Sequence, residues 1–176
     1  MKKVAVFGGS LSKKSINKQL ATFAGEQLQN TNFEVLDLND YPLPIFSVDL
    51  EQEEEYPESA QKFNDKLDTF DGFIVSLSEH NGIYTAAFKN LIDWVSRKNL
   101  KIFREKPVLL MATSPGAKGG ASVLNFAEKS FPILGADIIT TFSLSKFYDN
   151  FKEGEIVDES YLNELKSAVN KFEKSL

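Results

Sequence analysis

Residues 4–17 read Val4-Ala5-Val6-Phe7-Gly8-Gly9-Ser10-Leu11-Ser12-Lys13-Lys14-Ser15-Ile16-Asn17, and their order decides the fold. Four consecutive apolar residues suit a strand buried on both faces, as in a parallel sheet; a strand with one wet face would alternate. Two glycines end the run and short polar residues follow. From there Ile16, Leu20, Phe23, Ala24 and Leu28 recur at helical spacing, which predicts an amphipathic helix over residues 15–28.

The same alternation continues down the chain. Further apolar runs predict strands at residues 33–38, 72–77, 108–113 and 138–144, separated by helical patterns at 59–67, 86–96 and 121–134. A last helix is expected to begin near Asp158 or Glu159, with Leu162, Leu165, Val169 and Phe172 inward. The expected fold class is therefore α/β: a three-layer sandwich around a five-stranded parallel sheet in the order 2-1-3-4-5. The one long irregular passage, residues 39–57, leaves the second strand as extended Tyr41-Pro42-Leu43-Pro44; its acidic run from Glu51 to Glu55 reads as solvated surface.

A length of 176 residues suits one domain, expected to occupy residues 1–176. A hydrophobic fraction of 42% contains no stretch near the ~20 apolar residues of a membrane span, so no membrane partner is expected. Cysteine is absent and His80 is the only histidine, which removes thiol nucleophiles and makes disulfides and metal sites poor readings. The short apolar run after Lys2 and Lys3 does not match a secretory leader, so the cytoplasm is the expected compartment. A net charge of −5 argues against a nucleic-acid partner.

In open parallel sheets, ligands sit beyond the carboxyl ends of the strands, at the point where strand order reverses. Three polar, glycine-bearing loops are expected there. The first, Gly8 to Asn17, aims backbone N–H groups and the start of a helix at one point, an arrangement suited to phosphate. Ser10, Ser12, Ser15 and Asn17 add short polar side chains, and Lys13 and Lys14 offset charge; the plainer alternative is that Ser15 simply caps the helix. The second loop is Ser78-Glu79-His80-Asn81-Gly82, and the third is Ser114-Pro115-Gly116-Ala117-Lys118-Gly119-Gly120. Neither the Gly-x-Gly-x-x-Gly fingerprint nor the P-loop pattern is present. A phosphoacceptor receiver domain is also excluded, because its acidic positions read Gly8-Gly9 and Ser76 to Ser78.

The combination of Gly9-Ser10-Leu11 with Ser15-x-Asn17, Glu79-x-Asn81-Gly82 leading into Lys89-Asn90-x-x-Asp93-Trp94, and Ser114-Pro115-Gly116-x-x-Gly119-Gly120 resembles the NADPH-dependent FMN reductase family. The resemblance covers nearly the whole chain. It implies a flavodoxin-like fold, one FMN per subunit, NADPH or NADH as electron donor, a small-molecule electron acceptor, and a homodimer or homotetramer. It also implies that hydride passes to the flavin and then to a quinone, azo compound, free flavin or metal oxyanion, with no catalytic side chain of the protein's own. By motif position the cofactor-binding set is Gly9, Ser10, Ser12, Ser15, Ile16 and Asn17 around the phosphate, Ser78, Glu79, His80, Asn81 and Gly82 along the ring, and Ser114, Pro115, Gly116, Gly119 and Gly120 near the ribityl chain or ring.

Two departures stand out. The family usually has arginine after Gly-Ser-Leu, where this chain has Ser12, and tyrosine after the glutamate of the second loop, where this chain has His80. For His80, two roles stand side by side: a group titrating near neutrality beside the ring, or a flat packing surface. Trp94 and Phe88 are expected in the core, while Phe103, Phe147 and Phe151 are expected at the rim of the site. The alternative function is a flavodoxin-like electron carrier, or a flavin-binding protein without NAD(P)H turnover.

Overall fold

The computed structural model describes residues 1–176. Five strands, β1 (Lys3–Gly8), β2 (Asn32–Val35), β3 (Gly72–Leu77), β4 (Lys106–Thr113) and β5 (Ala136–Leu144), form one sheet in the order β2-β1-β3-β4-β5. Every pairing is parallel. This is the expected flavodoxin-like order.

The apolar runs are buried on both faces, as their lack of alternation requires. Ala5, Phe7, Phe73, Val75 and Leu77 join one core beneath α2 (Glu58–Asp68), α3 (Ala86–Ser96) and α4 (Ala121–Ser130). Val4, Val6, Ile74, Leu109 and Met111 join the other, beneath α1 (Ile16–Glu26) and α5 (Glu159–Glu173). Register brings the carboxyl ends level, pairing Gly8 with Ser76, Leu77 with Ala112 and Thr113 with Leu144. The loops that follow β1, β3, β4 and β5 therefore share one edge.

Some boundaries differ from expectation for local reasons. Strand β2 stops at Val35 rather than 38, because the Asp37 side chain accepts from the Asn39 N–H at 2.9 Å and caps a 3₁₀ turn, Leu38–Asp40. The helix expected over 121–134 ends at Ser130 and continues as the 3₁₀ turn Phe131–Leu134, where Pro132 lacks the N–H needed to continue it. The passage expected to be irregular contains a short helix, Val48–Glu53, capped by Ser47. It is strapped to α3: the Pro44 carbonyl accepts from Trp94 Nε1 at 2.7 Å and Asn90 Nδ2 at 2.9 Å, and Tyr56 Oη donates to the Trp94 carbonyl at 3.0 Å. Glu53, Glu54 and Glu55 are exposed, while Glu51 pairs with Arg97 at 2.6 Å.

Trp94 and Phe88 are buried, as their spacing predicted. Phe103, Phe147 and Phe151, expected at the rim, are buried instead. Phe103 stacks on Phe131 with ring centroids 5.0 Å apart, and Phe147 on Phe151 at 4.8 Å. Aromatic surface of that size is more favourably placed against other rings than in a wet cleft.

Lys18, in the first turn of α1, forms an ion pair with Asp37 beyond β2. Chiefly through the Lys18 ammonium, and also through the Asn39 N–H, the Asp37 carboxyl is lowered to about 2. Its folded value lies below its unfolded one, so the stability it contributes is present above about pH 4 and is lost as pH falls toward 2. Asp37→Asn is thus expected to be less stable than the parent at pH 6, with the gap closing between pH 4 and 2. Urea unfolding of both proteins across that range checks this; a gap independent of pH would refute it.

Candidate functional site

The first turn is closed by its own backbone and serine side chains. Ser10 N–H donates to the Gly8 carbonyl at 2.8 Å, Ser12 N–H to Ser10 Oγ at 3.1 Å, Ser15 N–H to the Ser12 carbonyl at 3.0 Å, and Lys18 N–H to Ser15 Oγ at 3.2 Å. Ser15 is thus the N-cap of α1, as the plainer reading held, and its own O–H remains able to donate outward. The backbone N–H groups of Leu11, Lys13, Lys14, Ile16 and Asn17 make no hydrogen bond within the protein. Clustered around a helix start, they offer donors and a positive dipole end to an anion.

The Asn17 side chain lines the cleft and is engaged within the protein. The residue is 2% exposed. Oδ1 accepts from Ser76 Oγ at 2.7 Å and from Thr113 N–H at 2.9 Å, while Nδ2 donates to Ser78 Oγ and to the Thr113 carbonyl, each at 3.1 Å. Both donors and both acceptor positions of the amide are consumed. The side chain therefore clips the ends of β3 and β4 to α1, while the backbone N–H has no partner within the protein.

The second loop is a hairpin rather than an open loop. Glu79–His80 pairs antiparallel with Ile83–Tyr84, and the turn between them places Asn81 at φ 54° and Gly82 at φ 84°. Asn-Gly is the residue pair that such a turn prefers, so the signal for this hairpin is present in the sequence. Glu79 reaches across to the third loop, where its Oε2 accepts from the Val123 N–H at 3.1 Å. Helix α4 has Gly120 at its N-cap and no side-chain cap of its own. Glu79 caps it from a distance, placing a carboxylate where the helix dipole favours one.

The third loop is braced by a fourth. Lys146 N–H donates to the Gly116 carbonyl at 2.9 Å and Phe147 N–H to the Ser114 carbonyl at 3.0 Å, which carries the segment after β5 to the same edge. These loops enclose an open cleft of about 230 Å³. Ser10, Ser12, Ser15, Ile16 and Asn17 line it from the first loop, Ser78, Glu79 and His80 from the second, and Ser114 and Pro115 from the third. Lys14, Thr113 and Tyr148 complete it. Tyr148 and Thr113 escaped the sequence reading; the one signal for Tyr148 is its place just beyond the carboxyl end of β5.

Gly9, Asn81, Gly82, Gly116, Gly119 and Gly120 do not line the cleft. Gly9 lies against Leu77 and Phe88, and its carbonyl accepts from Thr85 Oγ1 at 2.9 Å. Gly119 and Gly120 serve packing, since a Cβ on the first would overlap Ser143 Oγ and on the second would lie 2.7 Å from Ala112 Cβ. A Cβ on Gly116 would meet only Ser114 Oγ, at 3.9 Å, and its carbonyl contributes to the brace. Serine hydroxyls and free N–H groups at one end of the cleft suit a phosphate, and the rings of His80, Tyr148 and Pro115 offer flat surface.

The family described as NADPH-dependent FMN reductase matches residues 2–149. An NADPH:quinone oxidoreductase of Arabidopsis thaliana is 30% identical over 176 residues, covering 95% of this chain and 88% of that protein. A 2-hydroxy-1,4-benzoquinone reductase of a Burkholderia species is 34% identical over 121 residues, covering 68% of this chain and 64% of that protein. Among solved structures, FerB, a flavoenzyme NAD(P)H:(acceptor) oxidoreductase from Paracoccus denitrificans, superposes with a TM-score of 0.79 at 26% identity, covering 99% of this chain and 97% of that one.

No helix in the structure is long and apolar enough to cross a membrane.

Proposed function

The chain belongs to the NADPH-dependent FMN reductase family, and from that premise we propose that it binds FMN in the cleft, takes reducing equivalents from NADPH or NADH, and passes them to a small acceptor of the quinone class. The observation that carries this reading is the meeting of the unpartnered N–H groups of Lys14, Ile16 and Asn17 with Ser78 to His80 and Ser114-Pro115 in a single cleft. FMN supplies the hydride chemistry when bound.

The protein's own residues bind and orient. The N–H groups of the first turn, with the hydroxyls of Ser10, Ser12 and Ser15, hold the phosphate. Asn17 positions this turn through its clip to β3 and β4, and Glu79 positions the other wall by capping α4. His80, Pro115 and Tyr148 border the ring. The quinone class is favoured by the names of the relatives with 30% and 34% identity. In this reading residues 1–176 act as one FMN-binding domain, assembled as a homodimer or homotetramer in the cytoplasm.

The purified protein is expected to show the visible absorption of bound flavin after loading with FMN. Anaerobic addition of NADPH or NADH should bleach it, and a benzoquinone should restore it. Flavin that binds but is not bleached by either nicotinamide would favour the electron carrier. A protein that takes up no FMN would overturn both readings.

A further inference from the structure

We propose that Lys14 supplies the side-chain positive charge that compensates the FMN phosphate, a task that neither Lys13, Lys18 nor Ser12 performs. The inference rests on the cofactor reading above and goes beyond it by distinguishing among three lysines that adjoin the first turn.

A phosphate monoester carries close to two negative charges near neutrality, and a single helix start offsets about half a charge. Position 12 carries a neutral hydroxyl. A side-chain cation beside the turn would offset the remainder, and three lysines lie within reach in sequence. The structure separates them. Lys18 is already committed, because its ammonium pairs with Asp37, and it borders a second cleft, between α1 and the segment Phe151 to Gly154. Lys13 borders that same second cleft, alongside Gln19, Thr22 and Phe151, and does not line the loop-edge cleft, although Ser15 lines both. Lys14 lines the loop-edge cleft with Ser10, Ser12 and Ser15 and makes no ion pair with any carboxylate.

The other ionisable groups around the cleft do not displace it from this role. Glu79 has the wrong sign and is tied to the Val123 N–H at the start of α4. His80 sits on the hairpin after β3, not on the first turn. Lys118 and Lys146 lie in the loops after β4 and β5 and do not line the cleft. Lys14 is thus its one ammonium.

A lysine in this task acts as a mobile point charge rather than a two-pronged planar donor. FMN affinity should accordingly be sensitive to ionic strength, whereas affinity for riboflavin, which has the same ring and no phosphate, should not.

The test is titration of flavin-stripped protein with FMN and with riboflavin, followed by flavin fluorescence at low and high salt. Lys14→Ala is expected to weaken FMN binding about ten- to hundredfold, with riboflavin binding unchanged and the salt dependence largely gone. Lys13→Ala is expected to change FMN binding by less than about threefold. Adding Ser12→Arg to Lys14→Ala should recover most of the loss, since position 12 lines the same cleft. Equal losses for FMN and riboflavin, an unchanged FMN affinity in Lys14→Ala, or equal effects at 13 and 14 would each overturn the assignment. If the parent protein binds no FMN, the cofactor reading fails with it; if the parent binds FMN tightly and Lys14→Ala does too, only the lysine assignment fails.

Discussion

Replacing Asn17 with alanine is expected to lower the unfolding free energy by about 3 kcal/mol and to abolish most FMN binding. The reason is the number of buried groups that this one amide satisfies. Its removal leaves the Thr113 N–H and carbonyl and the Ser76 hydroxyl without their partner, and all three belong to residues with almost no solvent contact. An unsatisfied buried donor or acceptor costs about 1–3 kcal/mol, and the groups here share one network, so the losses are not simply additive. For a chain of this length the melting temperature should fall by roughly 6–12 °C. Asn17→Asp should not rescue it, because a carboxylate oxygen would then face the Thr113 carbonyl. Urea unfolding and FMN titration of the two variants check this, and a stability loss below about 1 kcal/mol would sink the clip as a structural element.

Gly8→Ala is expected to be comparably damaging, for a reason of space. Strand β1 and helix α1 approach so closely at this point that an added Cβ would lie 2.6 Å from the Lys18 nitrogen, 2.9 Å from its Cα and 3.1 Å from the Asn17 carbonyl carbon. These are backbone atoms of the first helical turn, so no side chain can rotate away. The helix itself must shift, carrying with it the Ile16 and Asn17 N–H groups and loosening the Asn17 clip. A cost of about 2–4 kcal/mol is expected. Gly9→Ala is the internal comparison. Its Cβ would meet the side chains of Leu77 at 3.2 Å and Phe88 at 3.4 Å, which can yield by a few tenths of an ångström. Denaturant melts should therefore rank Gly8→Ala well below Gly9→Ala. The reverse order would show that the approach of α1 to β1 is not the limiting contact.

Both predictions concern residues whose meaning is only half visible in one dimension. Asn17 stands at a motif position associated with phosphate, and its polarity suits that role. Its actual partners lie 59 to 96 residues away. Gly8 looks like the end of a strand, yet its small size is demanded by a helix that crosses it. Glu79 likewise invites a place beside the ring; it lines the cleft, and its side chain also caps a helix 44 residues further on.

The sheet, its order and the identity of the loops at its edge were determined by the sequence alone. Hydrophobic periodicity is a local property, and each apolar run or helical stripe declares itself within a few residues. Strands read as 4–7, 72–77 and 108–113 lie within the observed strands or match them. Ser10, Ser15, Ser78 and Ser114 could be placed at one crevice because parallel connectivity leaves their loops no other edge. What only the tertiary structure decided is how each side chain in those loops is used. Which of Lys13, Lys14 and Lys18 faces the cleft depends on the turn's path into α1 and on Asp37, brought alongside by β2. Tyr148 reaches the site, and Phe147 and Phe151 leave it for the core, through the docking of the loop after β5 against Ser114 and Gly116. These outcomes turn on register and on contacts between distant segments, and a single chain of letters carries no distance between them.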